Sequence, residues 1–575
     1  MALSFEPSLL VISVAFAAAI VSTFLGLYNF LIYPLILSPF AKIPAARWHA
    51  RILPLYSFYI KYTNTENRAV QKLHAKHGPL VLLGPNEVSV NSSDGLKTIY
   101  NGDFPKTEWY FNRFSNFGVD NIFTTRSSRE HYQRKKLLTQ AYSKSTILAA
   151  QAIPQTTANV IFNNLFPILQ HSADQKTPVD IHPLNYAYSL DSFTAYQLGE
   201  DLGTNFVGDS EARNWLLYHF FAPRPYTVFW EVELPKLTNG LLRMGIRLVP
   251  EWCERSRVAL EKYFIERYDR AAEVISSSSS LMGLNWPTIF AIAKEKYGRF
   301  GSRSFMTDAP TPPLGPTFWQ LEGTDGRAEK EQKYDHRLQI ASDMYDETVA
   351  AIETSGIALT FLHYELARNP AIQAQLRAEL ASLLPSQAVT GVAELKEIFS
   401  NVSLKELDSL PLLEAVITET LRLYPPVGGP QARYTPPAPN TSGHGRNGIS
   451  CTIDGYALPP GTRVQSYACT LHRNENVYPC PEEWIPRRWI DADEDRLIEM
   501  RRWFWAFGSG GRMCLGKNFA LVSIKLVVAA IYLRYSVELV GADRNGNDKV
   551  LEQDEGFSAG PKGNQLWLQF HELRE

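Results

Sequence analysis

No charged residue occurs between Pro7 and Ala41, and the run LLVISVAFAAAIVSTFLGLYNFLIYPLIL is apolar almost throughout. About 20 apolar residues are enough to cross the hydrocarbon core of a bilayer. This segment therefore separates a part of the chain that suits lipid from a part that must fold in water. A cleaved secretory signal is the competing reading. Its apolar stretch is shorter, roughly 7–15 residues, begins with basic residues and ends at small ones. Here one charged side chain, Glu6, precedes the run, while Lys42, Arg47 and Arg51 follow it. Positive charge stays on the cytosolic side of a single span. The pattern predicts a retained transmembrane helix with its hinge over residues 1–40 and a cytosolic body over 41–575. Asn91, Asn401 and Asn440 head glycosylation sequons that matter only in a lumenal body.

The composition is that of a globular protein, 45% hydrophobic and 20% charged, with a net charge of -2. That balance gives no drive toward nucleic acid, and no nucleic-acid-binding motif occurs. Cys253, Cys451, Cys469, Cys480 and Cys514 are too few and too irregular for a disulfide framework or a zinc site. Scattered thiols suit a reducing compartment.

The segment SPFAKIPAARW reads as a proline-interrupted hinge. Next, GPLVLLGPNEVSVNS alternates between Gly-Pro pairs, which predicts a short β-hairpin. SREHYQRKKLLTQAYS, YDETVAAIETSGIALTFLHYELARN, LPLLEAVITETLRLY and KNFALVSIKLVVAAIYLRY carry helical periodicity. The serine run at 276–280 reads as a linker, and PPAPNTSGHGRNGIS (436–450) as an exposed insertion. The expected fold class is mainly α with small β-sheets.

Phe507–Gly516, FGSGGRMCLG, places four glycines, one arginine and one cysteine in ten residues ahead of a long apolar helix. Glycines gather where backbone turns sharply or approaches something closely. A lone cysteine in a helical protein is usually a small buried hydrophobe. Phe507, Gly510, Arg512, Cys514 and Gly516, however, stand in the order F-x-x-G-x-R-x-C-x-G. The loop resembles the haem-binding loop of the cytochrome P450 family at every defining position.

That resemblance implies haem b as cofactor, with Cys514 as its axial thiolate ligand. Arg512 is implied to pair with a haem propionate and Phe507 to shield the sulfur. Gly510 and Gly516 let backbone N–H groups reach the sulfur. Other motifs follow in the family's order. Glu419 and Arg422 in ETLRLYPP stand three apart on one helix face. In the family such a pair locks with an arginine from a later loop, here Arg488 in WIPRRW, with Arg487 as the neighbouring candidate. AAIETS resembles the motif over the distal haem face. Glu353 and Thr354 are its acid–alcohol pair, the implied catalytic residues for proton delivery. In SREHYQRKKLL, His131 and Lys135 fall where relatives hold the propionates, with Arg134 and Lys136 as alternatives.

The resemblance covers nearly the whole chain after the anchor. It implies the single cytochrome P450 fold, preceded by one N-terminal transmembrane helix, in a microsomal and fungal-like layout. The implied function is that of a haem-thiolate monooxygenase of secondary metabolism, acting on a lipophilic small molecule at the endoplasmic reticulum membrane. Its electrons would come from NADPH through NADPH-cytochrome P450 reductase, with cytochrome b5 as a further possible donor. Arg501, Arg502 and Lys517 are candidates for the docking face. An oxygen-independent haem-thiolate isomerase or dehydratase is the alternative, although such relatives often lack the acid–alcohol pair. A non-catalytic haem sensor is a third class. Trp109, Tyr110, Phe111, Phe114 and Phe117, and the glycines of PPVGG (425–429), are candidate pocket walls.

Overall fold

The computed structural model describes residues 7–277, 283–300, 336–384, 391–437, 450–541 and 551–573. At its start Pro7–Leu27 is α-helical, and the helix continues through Tyr28–Leu37 in wider turns that accommodate Pro34. Val11–Leu37 has a mean hydropathy of 2.1, and none of it is buried against the body. Its length and composition suit a membrane anchor.

The segment after the anchor is stitched down and is not the hinge its prolines suggest. Ser38 caps a short turn over Pro39–Lys42 by accepting from the Phe40 amide at 3.2 Å. Ile43 is fully buried. Ala46 donates to the Leu82 carbonyl at 2.9 Å, and Leu82 donates to that of Pro44 at 2.8 Å. Buried backbone groups need such partners, and here the neighbouring strand supplies them.

The expected hairpin forms antiparallel strands Leu80–Gly84 and Glu87–Val90. Arg463–Gln465 pairs parallel with the second strand and antiparallel with Arg433–Tyr434, completing a four-stranded sheet. A second sheet joins Val179–Asp180 to Trp567–Glu572 and Tyr535–Leu539, Cys451–Ile453 pairs with Tyr456–Leu458, and helices make up most of the rest.

The longest helix, His336–Arg368, runs through the main core. Ser355 to Leu366 are buried without interruption, and the buried Thr360 and His363 are hydrogen-bonded there to Gly356 and Tyr532. Ala350, one turn before Thr354, is exposed, so the helix borders open space there. The apolar helix Lys517–Arg534 lies in the same core and follows the cysteine loop directly. Ser128–Thr139 begins at Ser127, whose hydroxyl accepts from the amide of Glu130, a capping arrangement visible in the sequence S-x-x-E. Ser276 and Ser277, read as part of a linker, instead complete the helix Glu251–Ser277 and donate back to Ala272 and Glu273. The rest of that serine run, and residues 438–449 of the expected insertion, lie outside the described residues.

Candidate active site

The cysteine loop begins where the helix Glu494–Trp503 ends. Gly508 and Gly510 both take φ of 67°, a region that favours glycine. A Cβ on Gly510 would lie 2.2 Å from the Tyr100 carbonyl oxygen, so the loop can pack there only with glycine. The Cys514 amide donates to the Phe507 carbonyl at 2.9 Å, closing the loop on itself. Gly516 then caps the helix Lys517–Arg534. Cys514 is accessible, yet it lies deep enough in the fold that burial pushes its thiol up. The backbone N–H groups of Gly516 and Lys517 and the Lys135 and Lys517 ammoniums act in the opposite direction. That is the setting of a sulfur at a helix N-terminus. Phe507 is half-buried under the Lys517 ammonium, 5.3 Å from its ring centre.

Beside the loop, four cations crowd together. Arg512 donates to the Thr125 and Arg126 carbonyls at 2.5 and 2.9 Å, while its buried Nε has no partner. Lys135 donates to the Gly511 and Met513 carbonyls at 2.9 and 2.7 Å. Arg433 donates to Tyr110 Oη and the Ala432 carbonyl, both at 2.8 Å. Lys106 donates to the Phe123 carbonyl at 2.5 Å, with its Nζ 3.6 Å from that ring's centre.

Among the described residues, no carboxylate forms an ion pair with any of the four. Burial, with Arg433 close by, holds Arg512 down at about 10. Lys106 is depressed well below its usual range by burial and then by Arg433 and Arg512. His131 falls to about 2, again through burial and then these cations, so its ring is neutral.

Like charges buried together are unstable without an anion between them. The cluster fits a ligand bearing two carboxylates, and the accessible thiol beside it fits an iron ligand. Both requirements suit haem. Arg134 is not free for this role, because Asp343 engages it at 2.8 Å and Thr125 at 3.0 Å. Lys136 is exposed. Sequence reasoning missed Arg433 and Lys106. Each is an isolated basic residue brought in by a bridge between the two backbones at Lys106 and Arg433.

On the central helix Thr354 Oγ1 donates to the Ala350 carbonyl at 2.8 Å. The buried Glu353 is held by both nitrogens of the Arg224 guanidinium fork, with Nη2 to Oε2 at 2.9 Å. The acid and the alcohol are thus held by different partners and are not bonded to each other. Consecutive residues of a helix do not face each other. Burial would push the Glu353 carboxyl up, but Arg224 outweighs it and holds the group below its usual range.

An aromatic box adjoins this helix. Phe557 lies 5.2 Å from both Trp109 and Phe114, and Phe114 lies 5.2 Å from Phe123. Ser558, next to Phe557, hydrogen-bonds Glu353, which joins the box to the central helix. Tyr110 and Phe111 are buried beside it. Phe117 is not a wall: it packs into the main core against Tyr345. The glycines of PPVGG do not simply leave space either. A Cβ on Gly429 would lie 2.3 Å from the Gly556 carbonyl oxygen, so this glycine serves close backbone packing under the box.

Behind the loop, Arg422 pairs with both oxygens of Glu419, at 2.9 and 2.8 Å. Arg488 Nε reaches Glu419 Oε1 at 3.0 Å, and Trp489 Nε1 reaches Oε2 at 2.8 Å. Arg487 instead bonds Gln375 on the surface. Arg422 also donates to the His472 carbonyl at 3.0 Å, and His472 passes the connection on. Its Nε2 accepts from the Trp505 amide at 2.7 Å, which leaves Nδ1 to donate to the Arg422 carbonyl at 2.9 Å. Trp505 starts the cysteine loop, so this buried imidazole ties the lock to it. Burial, with Arg422 next to it, lowers His472 to about 3 and keeps it neutral. Nothing in the sequence around His472 indicated this bridge.

The model of the family described as cytochrome P450 matches residues 321–568. A cytochrome P450 monooxygenase of Aspergillus niger is 24% identical over 547 residues, covering 94% of this chain and 95% of the relative. The N-acetyltryptophan 6-hydroxylase of Emericella nidulans is 26% identical, covering 89% of this chain and 88% of its own. A cytochrome P450 monooxygenase of Aspergillus parasiticus is 24% identical, with 92% and 93% covered. Fold and relatives together define an oxidoreductase of the monooxygenase class. Residues 321–568 thus carry a cytochrome P450 match, and relatives aligned along most of the chain are named cytochrome P450 monooxygenases.

Proposed function

We propose that the protein is a haem-thiolate monooxygenase of fungal-type secondary metabolism that places one oxygen atom into a lipophilic organic substrate. The observation that carries this reading is the accessible Cys514 thiol beside four cations that lack carboxylate partners among the described residues. Cys514 Sγ would hold the metal. Arg512, Arg433, Lys106 and Lys135 would hold the two carboxylates, and the neutral His131 would add one hydrogen bond. When bound, haem supplies a redox centre at which dioxygen is reduced, one oxygen atom passing to substrate and the other leaving as water.

The residues of the chain do the rest. Trp109, Phe114, Phe123 and Phe557 bind an apolar body and exclude water. Thr354 Oγ1 can turn from the Ala350 carbonyl to a water molecule and hold a proton beside the open space there. Glu353 stays ionised while Arg224 grips it, so it accepts a proton only when that pair opens.

NADPH-cytochrome P450 reductase is the proposed electron donor, with cytochrome b5 as a second. A cleft of about 980 Å³ lined by Arg501, Arg502, Lys517 and Phe507 lies against the cysteine loop and supports docking there. The proposed location is the endoplasmic reticulum membrane, with residues 1–40 as anchor and 41–575 in the cytosol. The test is to express the protein with a reductase, then measure the carbon monoxide band of the reduced form and NADPH-dependent products by mass spectrometry. Turnover without oxygen or NADPH would replace this reading by an isomerase.

Thr354→Ala is expected to leave haem content unchanged, since alanine suits a helix better than threonine. Product per NADPH should fall, because positioned proton transfer contributes about 10²–10⁴-fold. NADPH consumption should persist, with hydrogen peroxide as the by-product. Unchanged coupling would make Thr354 a packing residue.

Removal of residues 1–37 is expected to release the protein from membranes and keep its haem. Ser38 still caps the next turn, and Ile43 and Ala46 keep their places against the sheet. Loss of haem binding in the truncated chain would show that anchor and body are not separable.

A further inference from the structure

Arg113 stands on the short helix Glu108–Phe114, three and four residues after Tyr110 and Trp109. That spacing puts it on the helix face that those two buried rings turn inward. Its guanidinium lies 5.6 Å from the centre of the Phe114 ring, one wall of the aromatic box. The side chain is half-buried and has neither an ion pair nor a hydrogen bond among the described residues.

Several other enclosed arginines are matched to acids, and Arg213 and Arg377 are satisfied by backbone carbonyls. Arg134 has Asp343, Arg422 and Arg488 share Glu419, and Arg463 lies 3.5 Å from both Glu87 and Glu233. Arg512 and Arg433 belong to the cluster that suits the haem carboxylates. The acids nearest to Arg113 do not neutralise it. Glu353 has both oxygens occupied by Arg224, and Glu231 forms no ion pair with Arg113. Burial, with Arg224 close by, lowers the Arg113 guanidinium to about 10.

We infer that the substrate carries a carboxylate, which Arg113 binds at the edge of the aromatic box beside Glu353. An enclosed cation without a counterion is unfavourable until an anion arrives. The planar guanidinium fork matches a carboxylate with two parallel hydrogen bonds. Trp109, Phe114, Phe123 and Phe557 receive the rest of the molecule, which is therefore apolar or aromatic. The predicted substrate class is an amphiphilic carboxylic acid. Fixing its acid end also fixes which carbon lies nearest the reactive centre. This inference rests on the reading of the aromatic box as the substrate site of a haem-thiolate enzyme.

The test uses the full-length holoprotein and ω-phenylalkanoates of graded chain length, each paired with its methyl ester. Affinities are read by calorimetry and by the shift of the haem absorption band. At the best chain length the acid is expected to bind roughly 10–100-fold more tightly than its ester, the range of a charge-assisted hydrogen bond. Arg113→Gln should erase that preference and leave ester affinity within about twofold, whereas a purely structural arginine would weaken acid and ester alike. Arg113→Lys should keep part of the preference. An acid no tighter than its ester, including the case in which neither binds, overturns the inference, as does a preference that survives Arg113→Gln. The carbon monoxide band of the same preparation reads the underlying function separately. Its absence overturns the haem-thiolate reading and this inference with it, while a normal band without acid preference overturns this inference alone.

Discussion

Cys514→Ser is expected to abolish product formation and to remove the thiolate-type absorption band of the reduced carbon monoxide complex. A serine oxygen is a harder and poorer donor that remains protonated at neutral pH, so it cannot supply the electron density a thiolate does. The loop itself should survive. Its closing bond runs from the Cys514 amide to the Phe507 carbonyl and does not involve the side chain. The N–H groups of Gly516 and Lys517 that point at the sulfur can equally serve a hydroxyl. The change therefore isolates chemistry from folding, which circular dichroism and thermal unfolding of the variant would verify. Retention of the band would assign the axial position to another residue.

Glu419→Ala is expected to act in the opposite sense, on folding first. Glu419 is fully buried and receives hydrogen bonds from Arg422, Arg488, Trp489 and the Ile485 amide. Its loss strands two guanidinium groups in the interior. Breaking such a buried pair costs about 3–5 kcal/mol, against a typical total stability of about 5–15 kcal/mol. Because His472 links Arg422 to the Trp505 amide, the damage should reach the cysteine loop. The expected result is little soluble protein and a low haem content, read from the ratio of haem to protein absorbance. A normal yield with normal haem would show that the network is dispensable.

The parts of this architecture that were legible in the sequence are those set by local rules. Helical periodicity located the central helix and the helix after the cysteine loop. Alternation between Gly-Pro pairs located the hairpin. Glu419 and Arg422 are three residues apart, so their pairing could be read directly. What could not be read arises from chain crossings. Arg224 meets Glu353 across 129 positions, and neither neighbourhood announces the other. Arg433 and Lys106 become one cluster only because two backbones bridge there. Glu353 and Thr354 sit side by side in sequence but turn to different partners. Proline content misled after the anchor, where a neighbouring strand fixes a segment that composition alone marks as loose.

That fixed segment gives the anchor a geometric consequence. At about 1.5 Å per residue, the apolar stretch Val11–Leu37 is roughly 40 Å long, against about 30 Å of hydrocarbon. In a bilayer the excess is relieved by tilting the helix or thickening the lipid around it. Ser38 begins a capped turn at once, and five residues later Ile43 is locked into the body. Little chain is left between them to absorb a change of angle. Inserted in a bilayer, the helix would thus act as a lever arm and not as a tether, with bilayer thickness setting the attitude at which the body lies over the membrane plane.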